Sequence, residues 1–278
     1  MEKSRRKIIE SKRIVIKIGT SSLMQANGRV NYQQFDRLAF VLSTLNQGDK
    51  EIILVSSGAI GVGLNKLALH QRPQTISQQQ AVAAVGQSEL MNLYSRFFAH
   101  YQQTVGQILM TRDIVEFPTS HQNVVNTLET LLAMKIIPVV NENDTVAVDE
   151  LAHATKFGDN DQLSAIVAEI CQADLLIMLS DVAGFYDKNP AENPDAVLYA
   201  TIHEVTDALM AKAGGQGSIF GTGGMLTKLK AAKRILANGQ GMVLAQAQDP
   251  ALLFNILAGE KIGTYFIGAN TEGGVGDE

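Results

Sequence analysis

"RIVIKIGTSS", residues 13–22, places aliphatic side chains at both even and odd positions: Ile14, Ile16 and Ile18, but also Val15. A strand with one wet face alternates apolar and polar residues, whereas a run apolar on both parities is buried on both faces, as in a parallel sheet covered by helices. The same pattern recurs in "EIILVS", "VGQILM", "KIIPVVN", "DLLIMLS" and "GMVLAQ". Helical periodicity lies between these runs, over 32–46, 77–101, 122–134, 161–171 and 224–238. The repeated strand–helix succession predicts an α/β fold, a three-layer α/β/α sandwich with an open, mostly parallel sheet and right-handed crossovers.

The 278-residue chain is 46% hydrophobic and 18% charged, ample for a full core. A net charge of -5 argues against nucleic acid as a main partner. No apolar run reaches membrane-span length, and the single cysteine, Cys171, suits a reducing cytoplasm. Cys171 lies in "LSAIVAEIC" and reads as a core thiol. The basic start "MEKSRRKIIESKR" lacks a signal-peptide core and reads as a solvated head; the apolar-poor tail "GANTEGGVGDE" reads as disordered. One domain is expected, folded over 14–267, with 1–12 and 268–278 flexible.

In open α/β sheets ligands bind beyond the carboxyl ends of the strands. There the sequence puts Lys17-Ile18-Gly19-Thr20, Ser57-Gly58-Ala59-Ile60-Gly61, Asn141-Glu142-Asn143-Asp144 and Ser180-Asp181. Gly158-Asp159-Asn160-Asp161 opens a helix. Any one of these is an ordinary turn. Their clustering is the functional signal.

Two glycine motifs are near misses. "FGTGGMLTKLKAAKRI" (220–235) lacks the Gly-Lys step of a P-loop, and "GAIGVG" (58–63) has the wrong glycine order for a dinucleotide fold. No acid lies between Gly63 and Glu89 to take a ribose. Lys17, alone on an aliphatic strand, reads either as a solvent-facing residue on an edge strand or as a phosphate ligand. Lys228 sits in the first turns of a helix, where a cation opposes the dipole unless an anion is present. Two lysines at glycine-rich mouths favour a polyphosphate ligand. Asp161 reads as a helix cap or as more than one. Asp181 reads as a turn former, a lysine partner or a magnesium ligand.

The stretches "VIKIGTSSL", "VSSGAIGVG", "AAVGQSELM", "PVVNENDTVA", "FGDNDQLSA", "LSDVAGFYDKNP" and "GTGGMLTKLKAA" together resemble the amino acid kinase family over most of the chain. They resemble most its branch that phosphorylates the side-chain carboxylate of glutamate in proline synthesis. The resemblance implies ATP and Mg2+ as the nucleotide system, with Lys17 and Lys228 on the phosphates and Asp161 aligning the two lysines. It implies nucleotide contacts from Ser180, Asp181 and Thr222-Gly223-Gly224-Met225-Leu226-Thr227-Lys228, and glutamate contacts from Ser57, Asp144 and Asn160. It leaves the metal ligands open. It also implies a homo-oligomer, proline as a feedback inhibitor and hand-over of product to a glutamyl phosphate reductase. Many members carry a further RNA-modification-type PUA domain, which is not expected here. Two other readings stay open: a sister kinase with a different anionic acceptor, and a non-catalytic amino-acid-sensing module.

The implied chemistry needs no general base, since a carboxylate is already ionised at neutral pH. It needs positive charge and alignment, because an anion attacks a polyanion. At the ammonium end of glutamate a carboxylate is required, with Asp144 the candidate and Glu142, otherwise a solvent-facing loop residue, its rival.

Overall fold

The structure, a computed structural model, describes residues 3–111, 113–146, 160–214 and 224–269. Eight strands form one sheet: β1 (Arg13–Ile18), β2 (Glu51–Ser56), β3 (Val105–Met110), β4 (Ile137–Glu142), β5 (Leu175–Ser180), β6 (Thr201–Ile202), β7 (Gly241–Gln246) and β8 (Thr264–Phe266). Their order is β3-β4-β2-β1-β5-β7-β8-β6, and among the described strand pairs only β7–β8 is antiparallel. The helices are α1 (Lys3–Glu10), α2 (Thr20–Leu23), α3 (Tyr32–Gln47), α4 (Ala59–Lys66), α5 (Ile76–Ala99) and α6 (Asp113–Glu116). They continue with α7 (Pro118–Ala133), α8 (Asn160–Ile170), α9 (Asp207–Gly214), α10 (Gly224–Ala237) and α11 (Leu252–Leu257). None is long and apolar enough to cross a membrane.

The two-residue period of β1 splits its side chains between two cores. Ile14, Ile16 and Ile18 pack with Phe35 and Leu38 of α3, Tyr94 and Phe98 of α5, and Leu253 of α11. Val15 faces the opposite core, with Leu128 of α7, Leu163 and Val167 of α8, and Leu229 and Ile235 of α10. Lys17 shares the parity of Val15, so it points toward α8 and α10. The expected sandwich is thus the one observed.

Several expectations need correction. β1 is central, paired with β2 and β5, so Lys17 is neither on an edge nor solvent-facing. The solvated head is instead helix α1, with Arg5 and Ile8 buried. An amphipathic period hidden among charges explains the misreading: Arg5 donates to the carbonyls of Glu260 and Ala200, and Ile8 joins the core. α7 begins at Pro118 rather than 122, because proline fits the first helical turn. β6 and β8 are too short to show a period. Residues 270–278 of the tail lie outside the described part. Cys171 is buried as expected, and burial pushes its thiol up to about 12.

The "GAIGVG" glycines have a structural task. Gly58 takes φ 109°, the left-handed region, at the N-cap of α4. Where α4 crosses α5, a Cβ on Gly63 would lie 2.2 Å from the Val82 carbonyl oxygen. One on Gly86 would lie 1.8 Å from that of Ala59. Two helices touch backbone to backbone there, which fixes Ser57, Gly58 and the first turn of α4 beyond the end of β2.

Candidate functional site

Lys17, Asp161 and Lys228 come from β1, α8 and α10 and meet at the carboxyl end of the sheet. Lys17 Nζ lies 2.6 Å from Asp161 Oδ1, and Lys228 Nζ lies 3.2 Å from Oδ2. Asp161 is 3% exposed and Lys17 7%, so water screens little of this charge. Thr227 donates its hydroxyl to Asp161 Oδ2 at 2.8 Å, and the Gln162 amide donates to the Thr227 carbonyl, tying α8 to α10. Burial by itself would raise the Asp161 carboxyl, but Lys17 and Lys228 outweigh it and hold the group below its ordinary range. A capping role does not require two cations. The carboxylate splits its two oxygens between two ammonium groups and so sets their separation.

A cavity of about 470 Å3 opens on one side of this cluster. Its walls include Ser57, Gly58 and Gly61 of the glycine loop, Asn141, Glu142 and Asp144 from the end of β4, and Asn160. Asn160 donates to the Ser56 carbonyl at 3.0 Å and to Asn141 Oδ1 at 2.8 Å, and Asn141 donates on to Gln87 of α5 at 2.8 Å. Ser56 shares a 2.7 Å hydrogen bond with Tyr94, whose phenol burial pushes above its ordinary value. Glu142 is the last residue of β4 and only 6% exposed, which overturns its reading as a solvent-facing loop residue. It shares the cavity wall with Asp144.

A second cavity of about 470 Å3 is lined by Asp181, Val182, Tyr186, Gly224, Met225 and Lys228. Ser180 is buried and donates to Asp181 Oδ1 at 2.8 Å, leaving the exposed carboxylate at the cavity mouth. Leu226 packs against the α8–α10 core instead of lining this space. Thr222 and Gly223 lie outside the described residues. Asn160 lines the first cavity, its chain neighbour Asp161 holds Lys228, and Lys228 lines the second. The lysine–aspartate cluster therefore stands between two ligand-sized spaces, an arrangement that can neutralise a group passing from one to the other.

Gln87 and Gln162 fall within stretches that carry the family resemblance, but neither they nor Tyr94 are among the site residues it implies. They lie on buried or half-buried helix faces, and their partners are distant in the chain.

The description "Amino acid kinase family" matches residues 12–245. The chain is 61% identical to a glutamate 5-kinase of Enterococcus faecalis over 95% of this chain and 97% of that one. It is 58% identical to a glutamate 5-kinase of Listeria monocytogenes over 96% and 97%. The fold resembles a carbamate kinase from Giardia lamblia bound to AMP-PNP, with a TM-score of 0.65, 15% identity, and 94% of this chain and 99% of that one covered.

Proposed function

The chain belongs to the amino acid kinase family, and from that premise we propose that it transfers the γ-phosphoryl group of ATP to the side-chain carboxylate of L-glutamate. The product is L-glutamyl 5-phosphate, an acyl phosphate, which makes the reaction the first step of proline synthesis. The observation that carries this reading is the buried Lys17–Asp161–Lys228 cluster between two cavities.

Glutamate occupies the cavity of Ser57, Asp144 and Asn160, and ATP that of Asp181, Gly224, Met225 and Lys228. The acceptor carboxylate attacks in line as an anion, so no residue removes a proton. Lys17 and Lys228 offset the charge of attacking carboxylate and phosphoryl oxygens. Asp161 keeps the two ammonium groups apart and oriented. It does not act as a base, because its proton affinity is lowered, not raised. Asn160, held by Ser56 and Asn141, fixes the wall on which the acceptor lies. Asp144 and Glu142 offer negative charge to the α-ammonium.

Magnesium would supply positive charge to offset that of the phosphates. Mg2+ needs only one or two protein carboxylates beside phosphate and water, and the exposed Asp181 at the nucleotide cavity fits that demand. The lability of an acyl phosphate supports hand-over to a glutamyl phosphate reductase. A homo-oligomer and proline feedback are carried by the family resemblance, and a cytoplasmic location by the single cysteine.

The test is incubation with ATP, Mg2+, L-glutamate and hydroxylamine. Glutamyl hydroxamate and ADP should form in equal amounts. ADP formation without hydroxamate, or hydroxamate from another acid in preference, would reject the glutamate assignment.

A further inference from the structure

Among the described residues that line the acceptor cavity, Glu142 and Asp144 are the acids and Arg72 is the cation. Glutamate brings two carboxylates and one ammonium group. Its γ-carboxylate goes to the lysine cluster, and its ammonium finds the two acids. A cavity bearing only those acids would repel the α-carboxylate, so the remaining charge needs a cation.

Arg72 is placed for that task by its neighbours. It lies in the connection from α4 to α5, directly before Pro73, which biases residue 72 toward an extended backbone. Gln79, in the first turn of α5, uses both ends of its amide here. Its oxygen accepts from Arg72 Nη2 at 2.9 Å, and its nitrogen donates to the Pro73 carbonyl at 2.8 Å. One guanidinium nitrogen is thereby anchored, while the planar fork retains further N–H donors for a carboxylate. The lysine cluster is built on β1, α8 and α10, so Arg72 reaches the cavity from a different wall. That separation suits the two ends of one dicarboxylate.

Resting on the glutamate-kinase reading, we propose that Arg72 is a specificity residue that binds the α-carboxylate of the acceptor and selects amino acids in which that group is free. It pairs with the acids at 142 and 144 to recognise the zwitterionic end of the substrate.

The experiment compares L-glutamate with its α-amide, which is uncharged at that position but keeps the γ-carboxylate, using hydroxamate trapping on the wild type, Arg72→Gln and Arg72→Lys. Arg72→Gln should raise the KM for glutamate by about tenfold or more, the scale of one charged contact. It should change kcat by less than about threefold and leave the KM for ATP in place. The preference for glutamate over the α-amide should fall by the same factor, and Arg72→Lys should recover part of it, a point charge replacing a fork. An unchanged preference in Arg72→Gln overturns the proposal, including the case where both substrates lose equally because the loop has merely shifted. A wild type that makes no hydroxamate from glutamate overturns the activity reading first, and this assignment with it.

Discussion

Asp161 bonds both lysines through separate oxygens, so the three side chains act as one charge arrangement. Lys228→Ala should lower kcat by about 10²–10³, the range for losing one preorganised charge donor. Lys228→Arg should restore only part, because a guanidinium fork cannot occupy the position of a compact ammonium. Steady-state kinetics would check both. For Asp161 the pH behaviour discriminates. Burial opposes its ionisation, but Lys17 and Lys228 hold its folded-state carboxyl below the unfolded value. Its contribution to stability is therefore complete above about pH 4, the ordinary carboxylate value, and is lost as acidification passes through the lower folded value. Asp161→Asn should remove that acid-side dependence in urea titrations. It should also lower kcat while leaving the profile between about pH 6 and 8 flat, as in the wild type. A rate rising with pH in the wild type and flat in the variant would make Asp161 a base.

The α4–α5 crossing shows how an element can be set by what it lacks. Gly63 and Gly86 admit backbone-to-backbone contact, and α4 begins directly at the loop that lines the acceptor cavity. Gly86→Ala should destabilise the protein by about 1–3 kcal/mol or more, since the added methyl meets a carbonyl rather than a flexible side chain. Pushing α4 outward should also raise the KM for glutamate more than that for ATP. Urea melts and kinetics on the same preparation would measure both. Unchanged stability would mean that the helices slide apart at no cost, contrary to the contact described. "GAIGVG" was legible as a loop with backbone near something. That one of its glycines, Gly63, meets a helix while Gly58 and Gly61 line the cavity could not be read locally, because Gly86 is 28 positions after Gly58.

At the scale of the molecule, stability and chemistry sit at opposite ends of the sheet. The lysine cluster is at the carboxyl end of β1, while α1 packs at its start, a strand of six residues or about 20 Å away. Ile8 is fully buried in the core that α11 shares. Ile8→Ala should cost about 2–5 kcal/mol. At that distance kcat per folded molecule should stay at the wild-type value. Thermal denaturation and active-site-normalised rates would check this, and a loss of kcat without loss of stability would show the two ends to be coupled.

Local sequence determined six of the eight strands among the described residues, all but the short β6 and β8, because buried β-structure writes its burial into consecutive residues. It also determined that glycine-rich and polar segments gather at the strand ends, and Lys17, Asp161 and Lys228 were legible as unusual residues in those places. The amphipathic period of α1 was present too, but masked by its charges. What only the tertiary structure decided was adjacency. β1 could be central or at an edge, and pairing with β2 and β5 decided between the two readings of Lys17 in favour of a buried residue. Asp161 and Lys228 are 67 positions apart, and parallel crossovers bring α8 and α10 side by side. Glu142 looked like a loop residue until β4 carried it into the wall of the cavity. The physical reason is common to all three. Periodicity records which side of an element is buried, whereas charge pairing depends on which elements become neighbours, and long-range packing alone sets that.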